Sequence, residues 1–228
     1  MAKTLIVGGY GPGISNAVAE KFGAEGFSVA LVGRNEERLA AGVKSLGAKG
    51  VTAKAFPANV GDTKAVEAMI ARVRDSFGPI GAIHWNATPG GAPKLLEADA
   101  AAIHAVIDVA VTGLLAAVRA SLADLEKERG AVLVTNGGFG YFDPKVDAMA
   151  VQFGAQGLAL ANSAKHKMVG LLAEALRAKG VYVGEVMVMG TVKGTAFDMG
   201  NANLDPKTIG EKFWSLYQSR SETYATVQ

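Results

Sequence analysis

The chain has 228 residues, half of them hydrophobic and 19% charged, enough for one layered domain with a full core. It has no Cys, which excludes a disulfide framework, thiolate metal sites and thiol nucleophiles. Its 23 Lys and Arg against 21 Asp and Glu leave a net charge of +2, too little for a nucleic-acid footprint. The first residues do not read as a signal peptide, and no uninterrupted apolar run reaches the roughly 20 residues a membrane span needs. The expectation is a soluble, cytoplasmic protein without nucleic-acid or membrane partners.

Short apolar runs alternate with longer helical patterns along the chain. Thr4–Gly8 reads as a strand, Ile14–Glu25 as a helix, Ser28–Val32 as a strand and Glu36–Leu46 as a helix. Strand Val51–Phe56, helix Thr63–Phe77, strand Ile80–Trp85 and a long helix Ala98–Glu128 follow. In the long helix Ile103, Val106, Ile107, Ala110, Leu114, Val118, Leu122 and Leu125 keep one face apolar. The pattern continues with strand Ala131–Thr135, a helix over about Ala155–Ala178, and strand Val181–Met187. Gly26, Gly47, Gly78, Gly130 and Gly180 stand where helices should exit toward strands. Near the end, the spacing of Phe213, Leu216 and Tyr217, with Trp214, suits a last helix packed on the body. Most strands are near-continuously apolar, as strands covered on both faces must be. The expected architecture is α/β: a single Rossmann-type domain over residues 1–228, a doubly wound parallel sheet with helices on both faces. Its two least regular stretches, Asn136–Gly154 and Met189–Pro206, both follow strands. They are therefore expected at the carboxyl end of the sheet, where such sheets bind ligands.

Gly8-Gly9-Tyr10-Gly11-Pro12-Gly13-Ile14-Ser15 lies between the first strand and the first helix. A glycine-rich turn there lets backbone approach a pyrophosphate, which meets the amides and positive dipole of the helix start. No Gly-Lys-Ser/Thr follows, so a dinucleotide is expected rather than a nucleoside triphosphate. Gly9, Tyr10, Gly11, Gly13 and Ile14 are the candidate contacts. About 20 residues on, an Asp or Glu would grip the ribose 2′-hydroxyl of NAD. Here Gly33 stands there, followed by Arg34 and Asn35. Glycine leaves room for a 2′-phosphate and a guanidinium supplies paired donors and permanent charge, so NADP(H) is expected in preference to NAD(H).

At this point the chain resembles the short-chain dehydrogenase/reductase family over nearly its whole length. The segment from Gly9 to Ser15 is similar to the family's GxxxGxG motif, with Ser15 in place of the last Gly. Asn59-Val60 stands where the family has Asp-Val beside the adenine. Trp85-Asn86-Ala87-Thr88 stands for Asn-Asn-Ala-Gly, and Met189-Gly190 for Pro-Gly after the sixth strand. The resemblance implies cofactor contacts at Asn59, Val60, Asn86, Ala87 and Gly190. It also implies a catalytic Ser, Tyr and Lys with an Asn that anchors a water chain. Ser163-Ala164-Lys165, with Gly170-Leu171 and Ala173–Leu176 behind it, resembles the helix that carries the family Lys. Lys165 is therefore the implied ribose-binding lysine. Ala161 stands at the Tyr position, Gly137 at the Ser position and Ala110 at the Asn position, so the chain resembles an atypical member without the usual Ser–Tyr pair.

Tyr141-Phe142-Asp143-Pro144-Lys145 also spells Tyr-x-x-x-Lys, but Pro144 disfavours helix at Asp143 and the segment follows the fifth strand too closely. It reads as a loop decoy, with Tyr141 still available to line the pocket, the proton being left to water, a substrate group or Tyr141. The three His lie far apart with no ligand spacing, so no metal site is expected. No Gly-x-Ser-x-Gly elbow marks a hydrolase. Two functional classes remain open: an NADP(H)-dependent oxidoreductase acting on a small carbonyl or alcohol, and a non-catalytic dinucleotide-binding protein of the same fold. The resemblance also implies a homodimer or homotetramer formed through the long fourth and fifth helices.

Overall fold

A computed structural model describes residues 3–89 and 93–228. Seven strands form one parallel sheet in the order β3-β2-β1-β4-β5-β6-β7. They are β1 (Thr4–Gly8), β2 (Ser28–Gly33), β3 (Ala53–Pro57), β4 (Ile80–Trp85), β5 (Ala131–Gly137), β6 (Tyr182–Val188) and β7 (Tyr224–Val227). The chain winds outward from β1 to β3, returns to pair β4 with β1, and then winds the other way. That reversal opens a crevice between the carboxyl ends of β1 and β4.

The helices are α1 (Ile14–Ala24), α2 (Glu36–Ala48), α3 (Thr63–Phe77), α4 (Ala100–Ile107), α5 (Gly113–Lys127), α6 (Pro144–Gln152), α7 (Gln156–Arg177) and α8 (Pro206–Ser219). Successive side chains on a strand point to opposite faces. Leu5 and Val7 therefore join one core with Phe22 of α1, Leu39 of α2 and Phe213 of α8. Ile6 joins the other with Met69 and Ile70 of α3, Leu114 of α5 and Val169 of α7. The C-terminal aromatics pack α8 on α1, with Phe22 edge-on to Trp214 at 5.0 Å and to Tyr217 at 5.4 Å. Phe213 is fully buried between α8 and the sheet. Replacing it with Ala is expected to cost about 3–5 kcal/mol, a Tm fall of about 6–20 °C at this chain length, as read by circular dichroism.

The structure departs from the sequence reading at identifiable places. The helix expected over Ala98–Glu128 is interrupted by a π-turn at Asp108–Thr112, which divides α4 from α5. By length and composition Ala100–Lys127 is apolar enough to cross a membrane, yet its Leu114, Ala117, Val118 and Leu125 are buried in the core. The irregular stretch Asn136–Gly154 contains the nine-residue helix α6, which Asp143 caps and Pro144 begins. Proline at the first helical position loses no hydrogen bond, so it starts this helix as readily as it would break another. Gly47 lies inside α2, and the left-handed exit falls instead on Gly50, at φ 76°. Strand β7 was not expected, because its burial alternates along a four-residue edge without an apolar run.

Candidate dinucleotide and active site

The glycine loop leaves β1 with Gly9 at φ 79°, a conformation that side chains rarely adopt, and a Cβ there would collide with the backbone of Ala87 at the end of β4. Gly9 and Ala87 thus pack backbone to backbone, and the Asn86 N–H donates to the Gly8 carbonyl at 2.8 Å. Ser15, at the position of the motif's last Gly, is buried and braces the loop from inside. Its Oγ accepts from the Gly11 N–H at 2.8 Å and from Asn86 Nδ2 at 3.4 Å. Its own proton faces the carbonyls of Gly11 and Gly9 at 3.2 and 3.3 Å.

Helix α1 begins at the end of this loop with no side-chain cap and no acidic residue in its first turn. By contrast α2, α3, α4, α6 and α8 are capped by Asn35, Asp62, Asp99, Asp143 and Asp205, while α7 shares the lack of a side-chain cap with α1. The first-turn N–H groups of α1, from Ile14 onward, are left for an incoming anion. Across the mouth, the loop after β6 packs on the glycine loop, with the Thr195 methyl against Gly13. The sequence reading did not single out Thr195.

Two candidate contacts have structural roles of their own. The Tyr10 ring packs between α1 and α2 against Gly42, and its hydroxyl donates to Asn16 Oδ1 at 2.8 Å. Its N–H, like that of Gly9, donates to the Val32 carbonyl, so Tyr10 buttresses the loop. Burial, and secondarily the charge of Glu20, push its pKa up. Asn35 is the cap of α2, its Oδ1 accepting from the Arg38 N–H at 2.8 Å. Arg34, just before it, is exposed and makes no ion pair among the described residues. Arg38, missed from the sequence, lines a cavity of about 240 Å³ beside Tyr10 and Pro12.

Asn59 follows β3 and accepts from the Gly61 N–H at 3.2 Å, while the Val60 side chain sits in the core. Val60 therefore presents only backbone toward the crevice, and its carbonyl lies so close to α5 that only glycine fits at Gly113. Gly190, at the end of β6, is hemmed by the Asn203 side chain, which accepts from the Thr191 N–H at 3.1 Å.

Lys165 lies on α7 and is only 3% exposed. Burial pulls its pKa down to about 8, and the Glu185 charge opposes that fall. One turn earlier, Ala161 is fully buried in a small apolar cluster with Val106 and Ala110, against which Val111 packs. The positions at which the family resemblance implies Tyr and Asn are thus in contact and carry no polar side chain. Ala110 sits inside the π-turn, whose Val109 carbonyl accepts from Trp85 Nε1 at 3.2 Å. Gly137 ends β5 with its N–H held by Asn136 Oδ1 at 3.0 Å. A Cβ at neighbouring Gly138 would come within 2.6 Å of Met189 Sδ.

Tyr141 follows a 3-10 turn, Gly138–Gly140, with extended backbone. Lys145 is exposed in the first turn of α6, so the two residues share no helix. Tyr141 instead faces α7, its ring 6.0 Å from that of His166. Behind Lys165 lie Glu185, Asn136 and His166, joined by hydrogen bonds and missed by sequence reading. One signal was legible: a carboxylate in the middle of the apolar run of β6.

The short chain dehydrogenase family model matches residues 3–201. An uncharacterised oxidoreductase of Staphylococcus epidermidis is 30% identical over 142 residues, which is 62% of this chain and 60% of that protein's length. Among solved structures, a short-chain dehydrogenase/reductase from Serratia marcescens has a TM-score of 0.84 at 19% identity, covering 99% of this chain and 96% of that one. A variant of actinorhodin polyketide ketoreductase with NADPH has the same TM-score at 20% identity, covering 99% and 95%. At these identities the structural likeness speaks for the fold. The family rests on the model match: this chain belongs to the short-chain dehydrogenase family of oxidoreductases.

Proposed function

We propose that the protein is an NADP(H)-dependent oxidoreductase acting on a small carbonyl or alcohol, with Lys165 as the remaining member of the catalytic set that the family resemblance implies. The observation that carries this reading is the uncapped start of α1 behind the glycine loop, together with exposed Arg34 beside Gly33. The bound nicotinamide would supply or take up hydride. The first-turn amides of α1 would hold the pyrophosphate, Arg34 the 2′-phosphate, and Lys165 the ribose next to the nicotinamide.

With Ala161 and Gly137 at the Tyr and Ser positions, Lys165 is also the proton source we assign, because its pKa of about 8 makes it a usable acid near neutral pH. Tyr141 is the second candidate. The apolar contact of Val106, Ala110 and Ala161 favours one competing reading, a non-catalytic dinucleotide-binding protein. Calorimetric NADPH binding, run beside NADPH oxidation over a panel of aldehydes, ketones and activated enones, separates the two. Turnover of any member supports the enzyme, and tight binding without turnover supports the alternative.

We further propose that the chain self-associates through α5 and α7, on which Leu115, Leu160 and Leu171 are exposed apolar residues. Light scattering at micromolar concentration is expected to give a dimer or tetramer, and a monomer refutes the assignment.

A further inference from the structure

Helix exits in this chain follow one rule, with two exceptions. After α1, α2, α3, α6 and α7 the positive-φ backbone falls on Gly26, Gly50, Gly78, Gly154 and Gly180, at φ between 63° and 92°. After α5 and α8 it falls on Arg129, at φ 46°, and Arg220, at φ 52°, the non-glycine residues with positive φ among those described. A Cβ makes that conformation costly, and glycine is the ordinary residue there. A basic residue near a helix end complements the dipole, but it needs no left-handed backbone for that. Lys21 in α1 and Arg74 in α3 serve from helical positions. Strained backbone of this kind points to a use for the side chain it carries.

Both arginines line one cavity of about 400 Å³, together with Arg177 at the end of α7. It lies where β6 and β7 begin, at the opposite end of the sheet from the dinucleotide crevice. The Tyr182 hydroxyl ties β6 to the segment before β7 by donating to the Glu222 carbonyl at 2.6 Å. Arg220 is committed to the wall, its Nη2 donating to the Arg129 carbonyl at 2.6 Å and its Nε to the Tyr217 carbonyl at 3.3 Å. These bonds join the exits of α5 and α8 and hold the Arg129 backbone in place. The Arg129 guanidinium itself makes no ion pair among the described residues. Arg177 pairs with Glu174 at 2.7 Å, both side chains 73% exposed, and a pair so placed is worth little in water. The carboxylate on the cavity lining, Glu222, is already engaged by Lys212 at 2.9 Å.

Three guanidinium groups around a concave space large enough for a small molecule favour an anion. Planar guanidinium forks match the paired oxygens of a phosphate. We propose that this cavity is a second ligand site that takes a small phosphate monoester, with Arg129 and Arg177 as its binding groups and Arg220 as the residue that positions Arg129. The site owes nothing to the reading of the dinucleotide crevice, and it stands or falls separately from it.

Glycerol phosphate is the probe, titrated into ¹⁵N-labelled protein, with potassium chloride at matched ionic strength as the control. The amides of Gly180, Ser221 and Thr223 are expected to shift and saturate with the phosphate ester and not with chloride. Arg129→Gly is expected to raise Tm by about 2–4 °C, because glycine adopts the left-handed backbone freely, and yet to weaken saturation at least about tenfold. Arg177→Ala, at an exposed position, is expected to weaken it to a similar degree and keeps the test open if glycine loosens the turn. Equal shifts with chloride, or saturation unmoved in both variants, overturn the proposal. A loss in Arg34→Ala with none in Arg129→Gly overturns it too, and moves the phosphate to the glycine loop.

Discussion

Arg34→Ala is expected to weaken NADPH binding about 10- to 150-fold while leaving NADH binding within about two-fold. A charge-assisted hydrogen bond to phosphate contributes roughly 1.5–3 kcal/mol, which sets that range. The selectivity follows from position. Arg34 is exposed directly after Gly33, which has no side chain to crowd it, and its guanidinium makes no ion pair among the described residues. Among the described residues Arg38, one helical turn away in α2, is a second cation beside the glycine loop. Paired calorimetric titrations of both cofactors check this, first on Arg34→Ala and then on Arg38→Ala. Equal losses for NADPH and NADH in Arg34→Ala would remove the phosphate assignment. A larger NADPH loss in Arg38→Ala would move it to Arg38.

The fold was legible because parallel strands covered on both faces must be apolar at nearly every position, and β1, β2, β4 and β5 are. Strand β7 escaped for the converse reason: Tyr224 and Thr226 stay exposed, Tyr224 with its ring laid on α7, while Ala225 and Val227 are buried in the core, which leaves no run to detect. Helix α6 escaped because proline breaks a helix interior as readily as it begins a helix, and here Asp143 caps and Pro144 takes the first helical position.

The glycine loop was legible as a site from its context between β1 and α1, but not in its side-chain orientations. Whether Tyr10 turns outward to a ligand or inward to Gly42 depends on the space left by α2, thirty residues away in the chain. Asn35 is ambiguous in principle, since the same short amide suits a ligand contact and a helix cap. The group behind Lys165 was illegible for a stronger reason. Its hydrogen bonds join residues 136, 166 and 185, and only the register of β5 with β6 and the seating of α7 bring them together. A histidine judged singly from sequence has no visible partner, and here the partner is a carboxylate 19 residues on.

Lys165→Ala is expected to lower kcat/KM by about 10²- to 10⁴-fold, the range for a positioned proton donor, whereas Lys145→Ala leaves it unchanged. The pH dependence gives the sharper test. Burial depresses the Lys165 pKa to about 8, so the ammonium is present below that pH and is lost as pH rises through it. Carbonyl reduction that draws its proton and its ribose contact from Lys165 should therefore fall about tenfold per unit above pH 8. Lys165→Arg, which stays charged throughout, should lose that descending limb even if its overall rate is low.

The same depression has a consequence for stability, with the opposite sense. The unfolded lysine titrates near the ordinary 10.5, so between about 8 and 10.5 the unfolded chain binds the extra proton. The Lys165 contribution to stability therefore rises with pH across that window, and Lys165→Met should flatten it. Activity falling where stability rises separates loss of the ammonium from alkaline unfolding. Tyr141→Phe completes the set. A loss as large as that of Lys165→Ala, with the alkaline limb intact, would assign the proton to the hydroxyl on the loop after β5 and leave Lys165 the ribose alone.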